Sequence, residues 1–195
     1  MIRLFTKLCK SVLEKLSDKD IFHKATNSFN YHNERCPSCG AVGKLYPYDE
    51  YFRNLVSHNG EATTESSIGT LRFKCASCDN THALLPDIII PYSSYSLRFM
   101  LTVLDAYYKR NTTVVAMCEH FGIAVSTFYA WKHRLIEHKD LLLGILESLK
   151  EPVQVFLRDL FASLRLSDQL SNFFHRYGFS FMQNRTMAAT RSQPP

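Results

Sequence analysis

Two cysteine pairs carry the clearest chemistry in this 195-residue chain. Cys36 and Cys39 form one C-x-x-C, Cys75 and Cys78 form a second, and 35 residues lie between the pairs. Such a segment folds as a tight knuckle whose backbone N–H groups face the sulfurs and favour thiolate. Two knuckles at the base of one hairpin present four soft ligands in a tetrahedral arrangement, which suits Zn²⁺ at about 2.3 Å per Zn–S bond. An iron–sulfur site uses the same ligands, and spacing alone leaves it open. A thioredoxin-like redox motif needs its C-x-x-C at a helix start in a βαβ context, and neither pair has one. Four sulfurs leave no position for a reacting water, so the ion expected is a single structural zinc. A zinc deaminase would need a His-x-Glu beside a Pro-Cys-x-x-Cys, which is absent. His82, four residues after Cys78, reads more simply as a strand-end histidine than as a substitute ligand. Cys9 and Cys118 fall on apolar helical faces and read as buried thiols.

A second constellation spans Val114 to Lys132. Thr112 or Thr113 can cap a first helix whose inner face is Met117, Cys118 and Phe121. Gly122 stands where a sharp turn needs a residue without Cβ, and Ile123 fills the gap between helices. A second helix then buries Phe128, Trp131 and Leu135. Its other faces present Ser126, Thr127, Tyr129, Ala130, Lys132, His133 and Arg134. In a helix-turn-helix, Ser126, Thr127 and Ala130 would approach base edges in a major groove, with Tyr129, Lys132 and Arg134 on phosphates or sugars. Two ordinary bundle helices joined by a Gly-containing turn would share much of this pattern. Ala124 occupies the usual cap position of the second helix, so Ser126 is expected to cap a shorter one instead.

The surrounding elements must position these groups. Between the cysteine pairs, Lys44–Ser57 and the run ending at Cys75 read as strands joined at Asn59-Gly60. A turn centred there places Tyr48 opposite Leu71 and Tyr46 opposite Phe73. Before the ribbon, residues 2–16 put Leu4, Phe5, Leu8, Cys9, Val12, Leu13 and Leu16 on one helical face, and residues 17–35 read as a polar linker. After it, helical spacing covers about 94–108, 113–121, 126–138, 140–150, 152–165 and 167–177. Leu141, Leu142, Ile145, Leu146 and Leu149 form a broad apolar stripe, explained equally by a homodimer surface or by packing within the monomer. The expected fold is α+β: a four-cysteine zinc-ribbon hairpin followed by a helix-turn-helix bundle. Its divisions fall at 1–34, 35–92, 93–140, 141–183 and a frayed tail, 184–195.

Composition narrows the function. The formal net charge is +5, but residues 36–91 hold four basic side chains against six acidic ones. Four thiolates and one Zn²⁺ make that segment more acidic still and lower the whole chain to +3. The basic excess therefore sits outside the ribbon, which is poorly suited to gripping phosphates by charge. No apolar run approaches the ~20 residues of a membrane span. The N-terminal residues lack the pattern of a secretory signal, so a cytoplasmic location is expected. The acids after the second constellation (Glu137, Asp140, Glu147, Glu151, Asp159 and Asp168) come without strands to gather them around metal ions, and there is no phosphate loop or nucleophile context. Catalysis is not expected.

Cys36-Pro37-Ser38-Cys39-Gly40, the second pair, Thr81-His82-Ala83-Leu84-Leu85-Pro86 and Pro91-Tyr92 together resemble an uncharacterised bacterial domain family, mostly from Firmicutes. That family is similar to the zinc-ribbon and helix-turn-helix front ends of transposases and is linked with mobile elements. The resemblance covers about residues 35–140 and implies a setting and a fold rather than a mechanism. The expected function is a non-catalytic DNA-binding protein acting on double-stranded DNA. It would serve a mobile element, alongside a transposase or recombinase, or act as a transcription regulator. The alternative is a protein–protein adaptor whose acidic ribbon recruits a recombinase or polymerase, with a thiol-based redox sensor a third reading.

Overall fold

A computed structural model describes residues 1–6, 15–58, 62–109, 113–163 and 166–184. Four strands form one sheet in the order β1-β4-β3-β2: β1 (Ile2–Leu4), β2 (Leu45–His58), β3 (Thr63–Cys75) and β4 (Thr81–Pro86). The β2–β3–β4 pairings are antiparallel, whereas β1 runs parallel to β4, with Ile2 opposite Leu84 and Leu4 opposite Pro86. The α+β class is thus observed, but the amphipathic helix expected over residues 2–16 begins instead as a strand. Ile2 is buried against Leu45, Phe73 and Leu84, and pairing with β4 satisfies its backbone. Leu8, Cys9, Val12 and Leu13 of that expected helix lie outside the described residues, as do Asn59-Gly60 and 185–195.

The segment read as a polar linker is a helix, α1 (Asp18–Asn27). Ser17 accepts from the Asp20 N–H while the Asp20 carboxylate accepts from Ser17, a capping box that starts the helix. Ile21, Phe22 and Ala25 then form one buried face. Asp18 is fully buried and paired with Arg98 at 2.7 Å, while Arg98 also donates to the Leu16 carbonyl. The ion pair thus ties α1 to the first turn of α2 (Leu97–Tyr108).

The hairpin register also departs from expectation. Leu45 pairs with Cys75, Tyr46 with Lys74 and Pro47 with Phe73; beyond a bulge at Tyr48, Asp49 pairs with Arg72 and Glu50 with Leu71. Neither expected tyrosine pairing forms, and both tyrosines are exposed. Two buried sets pin opposite ends of the hairpin: Leu45, Phe73 and Cys75 at the knuckles, and Leu55, Val56 and Ile68 at the far end. One extra residue in β2 lets both face inward, because a one-residue slip reverses every side chain beyond it.

Five more helices follow α2: α3 (Val114–Phe121), α4 (Val125–Leu143), α5 (Ile145–Lys150), α6 (Val153–Ala162) and α7 (Leu166–Tyr177). The expected break near residue 139 falls instead at Gly144, whose φ of +84° suits glycine. Lys139 reaches from α4 to the carbonyls of Ser148 and Glu151, placing its charge at the C-terminal end of α5. The far half of the hairpin, Ile88–Ile90 and the helices share one buried core, with α2 at its centre. Of the leucine stripe after 140, Leu141 and Leu142 pack against that core and Leu149 is 80 % exposed; the Ile145 and Leu146 side chains lie outside the description. Among the described residues, no single helix is long and apolar enough to cross a membrane.

Candidate functional site

The four cysteines converge. All four Sγ atoms lie within 4.8 Å of one another, with Cys36 and Cys78 at 3.7 Å and Cys39 and Cys75 also at 3.7 Å. A tetrahedral site with Zn–S bonds of about 2.3 Å has edges of about 3.8 Å, so this donor set fits one metal ion.

The two knuckles repeat each other hydrogen bond for hydrogen bond. In the first, Gly40 N–H donates to the Cys36 carbonyl at 2.9 Å, and Cys36 N–H donates to Ala41 at 2.8 Å. In the second, Asp79 N–H donates to Cys75 at 2.9 Å, and Cys75 N–H donates to Asn80 at 3.0 Å. Each turn closes on a left-handed residue, Gly40 at φ +76° and Asp79 at φ +57°. Aspartate tolerates that region better than most side chains, and Lys74 pairs with it at 3.0 Å. A bond from Ala76 N–H to the Lys44 carbonyl ties the second knuckle to the start of β2.

Donors surround the sulfurs. Ser77 N–H reaches Cys75 Sγ at 3.4 Å, and the Asn80 side-chain amide reaches Cys78 Sγ at 3.6 Å. Burial alone would push the Cys75 thiol up; the N–H groups of Ser77 and Cys78, with Cys36 and Cys39 beside them, outweigh it and bring the thiol down to about 7. Cys36 and Cys75 are buried, Cys78 is half-buried and Cys39 is exposed, so the centre opens on one side.

His82 takes part in a way its position in the sequence did not indicate. It is buried in β4, with Nε2 3.3 Å from Cys36 Sγ and Nδ1 3.1 Å from the Met1 nitrogen. With the Met1 nitrogen donating, Nδ1 accepts and Nε2 carries the proton, which points at the sulfur. Burial, with the positive chain end second, lowers the ring's pKa. His82 is therefore a hydrogen-bond donor to a ligand, neither the substitute ligand nor the plain strand-end residue considered above. The signal was present only as a histidine near a cysteine pair, because β1, which brings Met1 to it, was not foreseen.

The second constellation folds as two helices meeting at a sharp bend. Thr113 accepts from Ala116 N–H at 3.3 Å and starts α3, and Met117, Cys118 and Phe121 are buried as expected. Gly122 sits at φ +67°, Ile123 is buried behind it, and the chain turns by 103° between α3 and α4. The expected capping by Ser126 does not occur: α4 starts at Val125, with Ala124 at the cap position and no side-chain cap. Phe128, Trp131 and Leu135 are buried, the Trp131 ring edge-on to Tyr95 at 4.8 Å.

Ser126, Tyr129, Ala130 and His133 are exposed along α4, with Thr127 half-buried. The two cations are engaged within the chain. Lys132 Nζ donates to Tyr107 Oη at 3.0 Å and lies over that ring, while Arg134 donates to the Met182 carbonyl at 3.1 Å. As folded, neither is presented as a free phosphate contact.

Residues 36–131 match the family model described as Domain of unknown function (DUF6431). That match runs from Cys36 to the buried Trp131, so the matched residues take in the four cysteines, α3, the bend at Gly122 and the first part of α4. No curated protein and no solved structure matches the chain.

Proposed function

We propose that this chain is a non-catalytic, zinc-containing protein that binds double-stranded DNA, as an accessory or regulatory protein of a mobile element or as a transcription regulator. The observation that carries the reading is the 103° bend at Gly122, which leaves Ser126, Tyr129, Ala130 and His133 exposed at i, i+3, i+4 and i+7 on α4. That is the helix a major groove would receive, small residues first, with the opposite face anchored by Phe128, Trp131 and Leu135. Zinc held by four sulfurs cross-links the two knuckles and leaves no position for substrate. Lys132 and Arg134 act first by holding α4 against Tyr107 and Met182. Few cations remain on the exposed face, so affinity should fall only gently with salt.

The test uses the zinc-loaded chain and a duplex selected from random sequences. Ser126→Glu with Ala130→Glu places two negative charges on the exposed face without touching the core. Affinity should drop at least tenfold with thermal stability unchanged. Unchanged duplex binding would reject the assignment of α4. Lys132→Glu and Arg134→Glu make a poorer test, since both also break contacts inside the fold.

A specific observation also favours the adaptor reading. The edge strand β2 exposes Tyr46, Tyr48 and Phe52, the last 74 % accessible, beside the acidic ribbon. Exposed aromatics on a strand edge are a surface another protein can cover. Capture of a recombinase or polymerase that Phe52→Asp abolishes, together with no duplex binding, would favour it.

A further inference from the structure

A polar groove of about 700 Å³ opens on the face of the sheet beside the second knuckle, within the size range of small-ligand sites. Its lining includes Tyr51, Arg53, Arg72, Thr81, Tyr92 and Ser93, and no acidic residue is among the described residues that line it. This is notable in the segment where acids outnumber bases.

The two arginines are held differently. Arg53 is half-buried, and its Nη2 donates to the carbonyls of Ile90 and Ser93, fixing a charged fork in the groove wall. Arg72 lies 5.7 Å from the centre of the Tyr51 ring and makes a two-pronged pair with Asp49, through Nε at 2.6 Å and through Nη2. That pair is more than a third exposed on both sides. An anion entering the groove therefore competes with Asp49 for the Arg72 guanidinium, in a pair that water and salt screen. A guanidinium fork suits phosphate oxygens in particular.

The segment that Arg53 holds is unusual in its backbone. Tyr92 has φ +62°, a left-handed conformation that costs a bulky aromatic residue free energy. Tyr92 is 44 % exposed and lines the groove. The conformation sets an aromatic ring at the rim, facing a groove that also holds Tyr51.

We infer that this groove binds a nucleoside phosphate, its phosphate on Arg53 and Arg72 and its base against the tyrosine rings. The same chemistry is offered by a free mononucleotide and by one unit of a single strand, where base–aromatic stacking and backbone charge act together. The inference does not depend on duplex binding by α4.

The test uses full-length, zinc-loaded protein titrated with thymidine monophosphate and, separately, with a short oligothymidine. Binding of either ligand, weakened about tenfold by Arg72→Gln and again by Tyr92→Asn, is the expected result. Arg72 is at the surface and asparagine tolerates positive φ, so both variants should fold; circular dichroism and zinc content verify this. Binding of the mononucleotide as tightly as the oligomer identifies the free nucleotide as the source, and binding of the oligomer alone identifies a strand. Absence of binding to both, or binding that neither variant weakens, overturns the inference. Ser126→Glu with Ala130→Glu should leave these titrations unchanged, so failure here is separable from failure of the duplex reading.

Discussion

His82 and Asp87 lie five residues apart around the end of β4 and do opposite things with burial. Burial lowers the pKa of His82, which directs one N–H at Cys36, so removing that proton donor should loosen the ligand rather than the fold. His82→Phe keeps a ring of similar shape, and metal affinity in a competitive chelator titration should fall by about 10–100-fold. Asp87 is buried among Thr6, Ser167 and the backbone of Ile88, with Arg3 near it. Burial pushes its carboxyl up to about 6, against the pull of Thr6, Arg3 and Ser167. A carboxyl raised by folding favours the folded state most when protonated. Its contribution is therefore full below about pH 4 and is lost as pH rises through about 6, by roughly 2–3 kcal/mol at most. Denaturant melts across that range should show a downward slope with pH that Asp87→Asn largely removes; an equal slope in both proteins would contradict the assignment.

At the scale of elements, the glycines separate strain from crowding. Gly43 and Gly122 both have left-handed φ, at +65° and +67°. A Cβ on Gly122 would meet nothing within 4 Å, whereas one on Gly43 would sit 2.8 Å from the His32 carbonyl oxygen. Gly122→Ala should cost about 1 kcal/mol, the backbone penalty alone, and Gly43→Ala about 2–3 kcal/mol because backbone must also move. Equal losses in chemical denaturation would refute the distinction. The same scale shows what the sequence made legible. The cysteine knuckles, the bend at Gly122 and the buried Phe128, Trp131 and Leu135 were readable because their spacing is local. The helix α1 was not, since Ile21, Phe22 and Ala25 are outnumbered by polar neighbours that face water. Nor was the hairpin register, which a bulge at Tyr48 resets to satisfy burial at both ends. Lys132 and Arg134 read as free cations because their partners, Tyr107 and Met182, lie 25 and 48 residues away.

Across the whole molecule, the hairpin belongs to two cores. Its knuckle end packs in a small cluster with Ile2, Leu45, Phe73 and Leu84, and its far end, through Leu55, Val56 and Ile68, joins the helical core. Metal removal should therefore melt the molecule unevenly rather than release all of residues 36–91. Hydrogen exchange after chelation is expected to lose protection around 36–46 and 73–84 while 97–104 and 128–138 keep theirs. Uniform loss would show that the centre holds the entire fold. The parallel pairing of β1 with β4 has a consequence in time. Residues 2–4 have no sheet partner until the chain has grown beyond Pro86, some eighty positions later. Closing so long a loop costs only slightly more than closing a shorter one, yet it slows the search. The antiparallel hairpin and its knuckles need no such wait. The β1 segment is thus among the last to find its place, arriving as a latch on strands already assembled.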